Sequence, residues 1–298
     1  MQRLKPYLRW LILGGVLFFL AQALKANWQE VAAIKIDAVG WAYLGSALGV
    51  TLLAHIWTGW VWGWILQFLN YRVKGTWAIK VYLKTNIAKY VPGNVWHYYG
   101  RIRLATTAGV PTSVATLSVL LEPLLMAAAA LVLALVGNQQ ANWGWQVLGL
   151  AIVLIAVHPA ILNRGIKLVG KMKGKNDESA SQQQLKHYPL LPLLGELGFL
   201  GLRGAGFILT LLALYPVNSS QILILLSAFS LAWLLGLVVP GAPGGIGVFE
   251  ATAIALLGAL FSPGLILSVV ALYRLISILA EVMGAGIVWI WDRFATST

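Results

Sequence analysis

Long apolar stretches alternate with short polar connections along the whole chain. They fall at about 8–26, 39–69, 112–136, 143–163, 189–215, 221–239 and 264–292. A helix that crosses the hydrocarbon core of a bilayer needs about 20 apolar residues, and most of these stretches reach that length. The pattern predicts an all-α fold, a polytopic membrane helical bundle of about seven or eight spanning helices. It also predicts that residues 1–298 form a single integral membrane domain.

Two Pro-Gly breaks interrupt this pattern about half a chain apart. The first lies within 89–101 and reads KYVPGNVWHYYGR, and the second lies within 239–250 and reads VPGAPGGIGVFE. Broken backbone at membrane depth is tolerated only where protein or a water-filled cavity shields it. Matching breaks in two halves of a chain indicate a transporter-type binding site, so we expect both segments to be broken or re-entrant.

A short helix is expected beside each break. Residues 77–90 carry Lys80 and Lys84 four positions apart, with apolar residues on another face, which is typical of an interfacial or re-entrant helix. A plain basic loop is the alternative. Residues 248–260 form the short helix after the second break. The repeated layout suggests an inverted internal repeat, with half-repeats 1–142 and 143–298, and coincidence is the competing explanation.

Basic residues lie mostly in the short connections. The net charge is +12, and this distribution favours cytoplasmic loops that face anionic lipid headgroups over nucleic-acid binding. Arg3, Lys5 and Arg9 predict a cytoplasmic N-terminus, the basic linker 164–188 is expected on the same side, and Arg293 predicts a cytoplasmic C-terminus. The expected location is a bacterial-type cytoplasmic (inner) membrane, crossed several times.

Several kinds of chemistry are not expected. The chain has no cysteine, and its four histidines show no metal-ligand spacing, so we expect no metal and no cofactor. His55 is interpreted as a buried, hydrogen-bonded side chain. No nucleotide-binding glycine loop with Lys and Ser or Thr is present, so ATP is not expected to drive the protein directly.

Charged residues inside the apolar stretches are few. They are Glu122, Glu196 and Arg203 in two central stretches, and Arg274 and Glu281 in the last. A lone charge at membrane depth costs at least ~2.5–3.5 kcal/mol, so each should face a partner or water. We expect bridges between helices, in which Glu196 or Glu281 neutralises Arg274 or Arg203. Ion pairing that only fixes helix packing is the alternative to a role in binding substrate.

The breaks add residues suited to phosphate. A helix that starts inside the membrane presents free N–H groups and a positive dipole end to an anion. Gly244, Gly245 and Gly247 allow close approach to this backbone. Arg101 and Arg103 follow the first break and can bind phosphate by forked hydrogen bonds, or else anchor the chain at the cytoplasmic surface.

Aromatic and small residues complete the candidates. Residues 96–99, which read WHYY, line a headgroup cavity or form part of an interfacial aromatic belt. The pairs Gly45/Gly49 and Gly59/Gly63 match the small-residue motif for packing of helices within the bundle. The predicted substrate-binding residues are Pro92, Gly93, Asn94, His97, Arg101, Arg103, Glu122, Arg203, Pro240, Gly244, Gly245, Gly247, Glu250, Arg274 and Glu281.

The second break resembles a known family motif. Its sequence PGAPGGIGVFE, which ends at Glu250, resembles that of the lysylphosphatidylglycerol synthase transmembrane family, the flippase-type region of the bacterial multiple peptide resistance factor and its stand-alone relatives. The first break resembles the family's earlier Pro-Gly segment, whose following arginine corresponds to Arg101. The resemblance implies a stand-alone member without the aminoacyl-transferase domain, with Glu250 and Arg101 central to its site. The first motif departs from the family pattern in its Trp, His and Tyr residues, so the family's substrate is not carried over.

The resemblance implies a lipid translocase, or flippase. Its substrate would be a charged phospholipid or a polyprenyl-phosphate-linked lipid, and its partners would be anionic or phosphate-containing membrane lipids. Glu250, Glu122 or Glu281 would carry protons if transport is coupled. The alternatives are a membrane enzyme or an accessory subunit in glycolipid or aminoacyl-lipid biosynthesis, acting with a separate lipid-synthesising enzyme docked on linker 164–188.

Overall fold

The fold is described from a computed structural model. It describes residues 35–90, 95–137, 143–164, 185, 187–239, 245 and 247–295, together with Lys25 and Gln29. All the regular elements within these ranges are helical. Most of the expected first span at 8–26, the centres of both breaks and most of linker 164–188 lie outside the described residues.

Nine α-helices of eight or more residues occur in the described ranges. They are α1 (Ala38–Phe68), α2 (Gly75–Asn86), α3 (Trp96–Thr107), α4 (Thr112–Val136), α5 (Trp143–Ala156), α6 (Leu190–Leu212), α7 (Ile222–Val238), α8 (Val248–Leu257) and α9 (Pro263–Ala295). The 3-10 turn Ile87–Tyr90 continues α2, and the turn Ser219–Gln221 leads into α7. The prediction of an all-α, multi-pass helical bundle is confirmed.

Five helices are long and apolar enough to cross a membrane. They are Ala38–Phe68, Thr112–Val136, Leu190–Leu212, Ser219–Val238 and Pro263–Phe294. The expected span 143–163 is wrong as one continuous helix. The helix α5 ends at Ala156, and helical backbone resumes at 159–164. Because Pro159 disfavours helical backbone at the residue before it, the stretch divides at His158.

The two predicted short helices are present. The loop alternative for 77–90 is wrong, since α2 and its 3-10 turn cover these residues. The helix α2 packs on α1, where a Cβ on Gly59 would lie 3.0 Å from the Ile79 Cα atom. Gly63 makes a similar approach to Ala78, so this glycine pair has the expected packing role. A Cβ on Gly45 or Gly49 would meet no atom within 4 Å among the described residues, so no packing role is seen there.

An aromatic core fixes α8 and α9 against α6 and α7. The rings of Phe207 and Phe229 lie 5.4 Å apart, and Phe249 lies 5.8 Å from Phe229. Tyr273 completes the group at 5.7 Å from Phe207, edge to face. Such contacts add about 0.5–1.5 kcal/mol each beyond simple burial. Phe249 precedes Glu250 and Tyr273 precedes Arg274, so the aromatic core sets the position of both charged residues.

Candidate functional site

Buried and partly buried polar groups of the described residues collect in three places inside the bundle. We call them the Arg101 cluster (Tyr82, Tyr98, Arg101, Glu122 and Glu196), the Glu281 cluster (His55, Lys89, Arg203 and Glu281) and the Glu250 cluster (Gly245, Gly247, Glu250 and Arg274). Charged groups in a membrane protein interior are tolerated when they are paired or line a polar cavity. The three clusters differ in how completely they satisfy that condition.

The Arg101 cluster joins α3 to α4. Arg101 and Glu122 are 1% and 2% exposed, and the Arg101 Nη1 atom donates a hydrogen bond to Glu122 Oε2. The Arg101 guanidinium faces the Tyr82 ring, with 4.2 Å from its central carbon to the ring centroid, and lies 5.7 Å from that of Tyr98. Two aromatic faces and one carboxylate therefore hold this cation.

Glu196 is the unpaired acid of the Arg101 cluster. It lies on α6, is fully buried, and neither carboxyl oxygen has a hydrogen-bond partner among the described residues. The charges of Glu122 and Arg101 act on it. The expectation that Glu196 pairs with Arg274 or Arg203 is wrong for this part of the chain. Arg203 is two helical turns away on the same helix, and Arg274 binds a different carboxylate.

The Glu281 cluster brings together four elements. Glu281 Oε1 lies 3.3 Å from His55 Nε2 and accepts a hydrogen bond from Lys89 Nζ. Arg203 Nη1 lies 3.5 Å from His55 Nε2 and donates to Ser277 Oγ at 3.1 Å. Arg203 therefore reaches Glu281 through the His55 imidazole and forms no direct pair with it. The expectation of a buried, hydrogen-bonded His55 is confirmed.

Two basic side chains of the first break are perturbed by burial. Burial lowers the pKa of the Lys89 ammonium, although the adjacent Glu281 carboxylate raises it in part. Burial, together with the positive charges of Arg101 and Lys89, lowers the pKa of His97 to about 3. The His97 imidazole is therefore neutral at physiological pH, and its Nδ1 atom has no partner among the described residues.

The Glu250 cluster closes the N-terminus of α8. The Gly247 N–H donates to Glu250 Oε2 at 2.6 Å, and Arg274 binds both carboxylate oxygens, at 2.5 and 3.2 Å. Arg274 Nη2 also donates to the Gly245 carbonyl at 3.1 Å. A phosphate was expected at this helix end, but the Glu250 carboxylate already occupies it as a cap.

Glycine is required at two positions of this turn. Gly245 and Gly247 have φ angles of 70° and 84°, in the left-handed region that other residues rarely adopt. A Cβ on Gly245 would also lie 2.8 Å from the Gly236 Cα atom of α7. The turn can therefore point the Gly245 carbonyl toward Arg274 only because positions 245 and 247 are glycines without a side chain.

The helix α9 connects the two breaks. Arg274 holds Gly245 and Glu250 of the second break, and Glu281 holds Lys89 at the start of the first. Seven residues make about two turns, or ~10.5 Å along the axis, so both contacts lie on one side of α9. The described residues that flank the breaks thus meet along the same helix face.

The structure sorts the predicted site residues into three groups. Those in the clusters or beside them are His97, Arg101, Glu122, Arg203, Gly245, Gly247, Glu250, Arg274 and Glu281. Those outside the described residues are Pro92, Gly93, Asn94, Pro240 and Gly244. Arg103 alone is exposed and outside the clusters. Residues two positions apart on a helix point in nearly opposite directions, and Arg101 points to the buried side.

Sequence reasoning missed some members of the site. Lys89 was noted only as part of the first motif, and Glu196 only as a partner for an arginine. The four aromatic residues of the WHYY segment lie in two different environments. Trp96 and Tyr99 are about half exposed, while His97 and Tyr98 lie beside Arg101. No group of three His, Asp or Glu side chains suited to a metal occurs in the part of the chain that the structure describes.

Comparison with protein-family models finds no matching family, and comparison with curated proteins finds no match. The resemblance to the lysylphosphatidylglycerol synthase transmembrane family therefore rests on the two break motifs alone.

Proposed function

We propose that the protein is a lipid translocase that moves a phosphate-containing lipid across a bacterial-type cytoplasmic membrane. The headgroup passes the three ionic clusters while the acyl chains stay in the surrounding lipid. The N- and C-termini face the cytoplasm in this proposal, as the loop charges predict.

The observation that carries the proposal is the shared use of α9 by both breaks. Lys89 and Glu250 bind α9 residues two turns apart, so basic and acidic groups from both halves line one partly buried face. Transporter sites are typically formed where discontinuous helices of two halves meet in this way. A packing role alone does not need residues from both breaks.

The donors available in the clusters suit an anion. Arg101 and Arg203 each bury an Nε–H group that has no acceptor among the described residues. A guanidinium binds phosphate oxygens through two parallel N–H groups, and Arg101 presents one such fork. We propose that the phosphate exchanges with Glu122 at Arg101, and that Arg203 and Lys89 receive it further along the path.

Reconstituted vesicles test this function. Headgroup-labelled phosphatidylglycerol is followed across the bilayer with the natural chain and with Arg101→Ala, Glu250→Gln and Arg103→Ala. A lost charge-assisted hydrogen bond costs about 1.5–3 kcal/mol, so the first two variants should slow movement about ten- to a hundredfold. Arg103→Ala is the matched control and should transport normally, because Arg103 lies outside the clusters.

Two results would contradict the proposal. The natural chain fails to move any labelled phospholipid or polyprenyl phosphate, or Arg101→Ala moves lipid at the natural rate while remaining folded. Ion pairing that only fixes packing predicts the first result, with the variants altered in thermal stability alone. Product formation from an added sugar or aminoacyl donor would instead support the enzyme alternative.

A further inference from the structure

We infer that Glu122 and Glu196 form a proton-binding pair around Arg101. The pair holds one proton when no anion is bound, and takes up a second when an anionic headgroup replaces Glu122 at Arg101. The inference rests on the proposed function for its second step. The first step depends only on the buried groups themselves.

The first observation is the isolation of the Glu196 carboxyl. Glu196 is fully buried, with a fractional exposure of 0%, so it is exposed to neither water nor lipid. Both its carboxyl oxygens lack a hydrogen-bond donor among the described residues. An ionised carboxylate without donors is strongly disfavoured in a buried, apolar setting, and such a group binds a proton instead. Glu122 differs, because it accepts a hydrogen bond from Arg101.

The second observation is the charge count. The Arg101 cluster contains two carboxyls and one guanidinium, and an arginine does not lose its proton in proteins. With both acids ionised the buried cluster would carry one uncompensated negative charge. One proton makes it neutral. Because Arg101 already donates a hydrogen bond to Glu122, the proton is carried by Glu196.

Among the described residues, no other group near Glu196 supplies a compensating positive charge. Tyr82 lies nearby on α2, and burial and the Glu122 charge raise its pKa well above the ordinary value, so it stays a neutral phenol. Burial and Glu122 likewise raise the pKa of Tyr98. The helix α7 carries no titratable residue. The interior titratable residues of α1 and α9 belong to the other two clusters or contact them, and these are His55, Tyr273, Arg274 and Glu281.

The second proton follows from the same balance. When a phosphodiester anion takes the Arg101 fork, the Glu122 carboxylate loses its cation. It keeps only the neutral Tyr82 phenol as a donor and becomes a second buried acid without a positive partner. It then takes one proton from water and becomes a neutral carboxylic acid, with no other bond made or broken. One anion and one proton therefore enter together, and the loaded site has the same net charge as the empty one.

Infrared spectroscopy tests the first step without any substrate. The chain is placed in phosphatidylcholine nanodiscs, and the C=O stretching band of protonated carboxyls is recorded at neutral pH. We expect a band that Glu196→Gln removes. Glu250→Gln is the matched control and leaves it, since both Glu250 oxygens accept hydrogen bonds from Arg274. A natural chain without the band, or a band unchanged in Glu196→Gln, overturns the inference.

Proton uptake tests the second step. Short-chain phosphatidylglycerol, or dimethyl phosphate as the soluble phosphodiester, is added to the nanodiscs in weak buffer with a pH indicator. We expect uptake of about one proton per bound anion, and none with the double variant Glu122→Gln/Glu196→Gln. Uptake with the lipid alone supports a lipid site, and uptake with both probes supports a general phosphodiester site. Binding of phosphatidylglycerol without proton uptake overturns the step.

The two proposals fail separately. If labelled lipid crosses the bilayer but Glu196 carries no proton, the proton-binding pair is wrong and the translocase stands. If Glu196 carries a proton but no lipid moves in vesicles, the translocase is wrong and the buried acid remains a proton site.

Discussion

Arg274 and Glu281 lie two turns apart on one side of α9 and bind the flanks of different breaks. Arg274 binds Glu250 of the second break, and Glu281 binds Lys89 of the first. Because the two contacts share one rigid helix, a movement of α9 changes both together. This relationship makes α9 the helix that contacts the described flanks of both breaks.

The Glu250–Arg274 pair should stabilise the fold. Replacing Glu250 with Ala removes the cap of α8 and leaves Arg274 without its carboxylate. Breaking a fully buried pair costs about 3–5 kcal/mol. Because Arg274 is about a quarter exposed, we expect the free energy of unfolding to decrease by about 2–3 kcal/mol. Denaturant unfolding of the purified protein measures it.

The control for that prediction lies on the same helix. Asp292 of α9 contacts Lys80 and Lys84 of α2 at an exposed site. Exposed pairs contribute about 0–1 kcal/mol, so Asp292→Asn should change the free energy of unfolding far less than Glu250→Ala. Equal losses in the two variants would mean that burial does not distinguish these pairs.

Glycine substitutions should separate strained from open positions. Gly245→Ala places a methyl group 2.8 Å from the Gly236 Cα atom at a positive φ, which costs about 1–3 kcal/mol in backbone strain alone. Gly286→Ala on α9 meets no atom within 4 Å among the described residues and should stabilise its helix by about 0.5–1 kcal/mol. Thermal unfolding of both variants checks the opposite signs.

His97 should contribute a pH dependence of stability in acid. Its folded pKa is about 3 and its ordinary value is 6.5, so the unfolded chain binds more protons between these values. The stability that neutral His97 provides is therefore complete above pH 6.5 and is lost as the pH falls toward 3. When thermal unfolding is measured at a series of pH values, the unfolding temperature should fall less steeply with decreasing pH for His97→Gln than for the natural chain. Parallel profiles would refute the assignment.

Much of the fold could be predicted from the apolar pattern. The helices α1, α4, α6, α7 and α9 match expected spans, because their length and hydropathy alone determine them. The division after α5 was missed, since hydropathy does not register the effect of Pro159 on the residue before it. The small helix α2 was predicted by the spacing of its lysines.

The partners of the buried charges could not be predicted in the same way. The sequence identified Glu122, Arg203, Arg274 and Glu281 as residues that need partners. The partner that each residue binds depends on how far neighbouring helices are rotated and shifted, and no local sequence pattern encodes that. Arg274 therefore binds Glu250 only 24 residues earlier, while Glu196 finds no donor among the described residues.

The most direct test of the central claim is a double-variant comparison of lipid movement in vesicles. Translocation of headgroup-labelled phosphatidylglycerol is measured for Lys89→Gln, Glu250→Gln and the two changes combined. Residues that act in one site are strongly non-additive, so the combined variant should be about as slow as the slower single variant. Independent losses that multiply in the combined variant, or natural rates in all three, would contradict a single site made by both breaks.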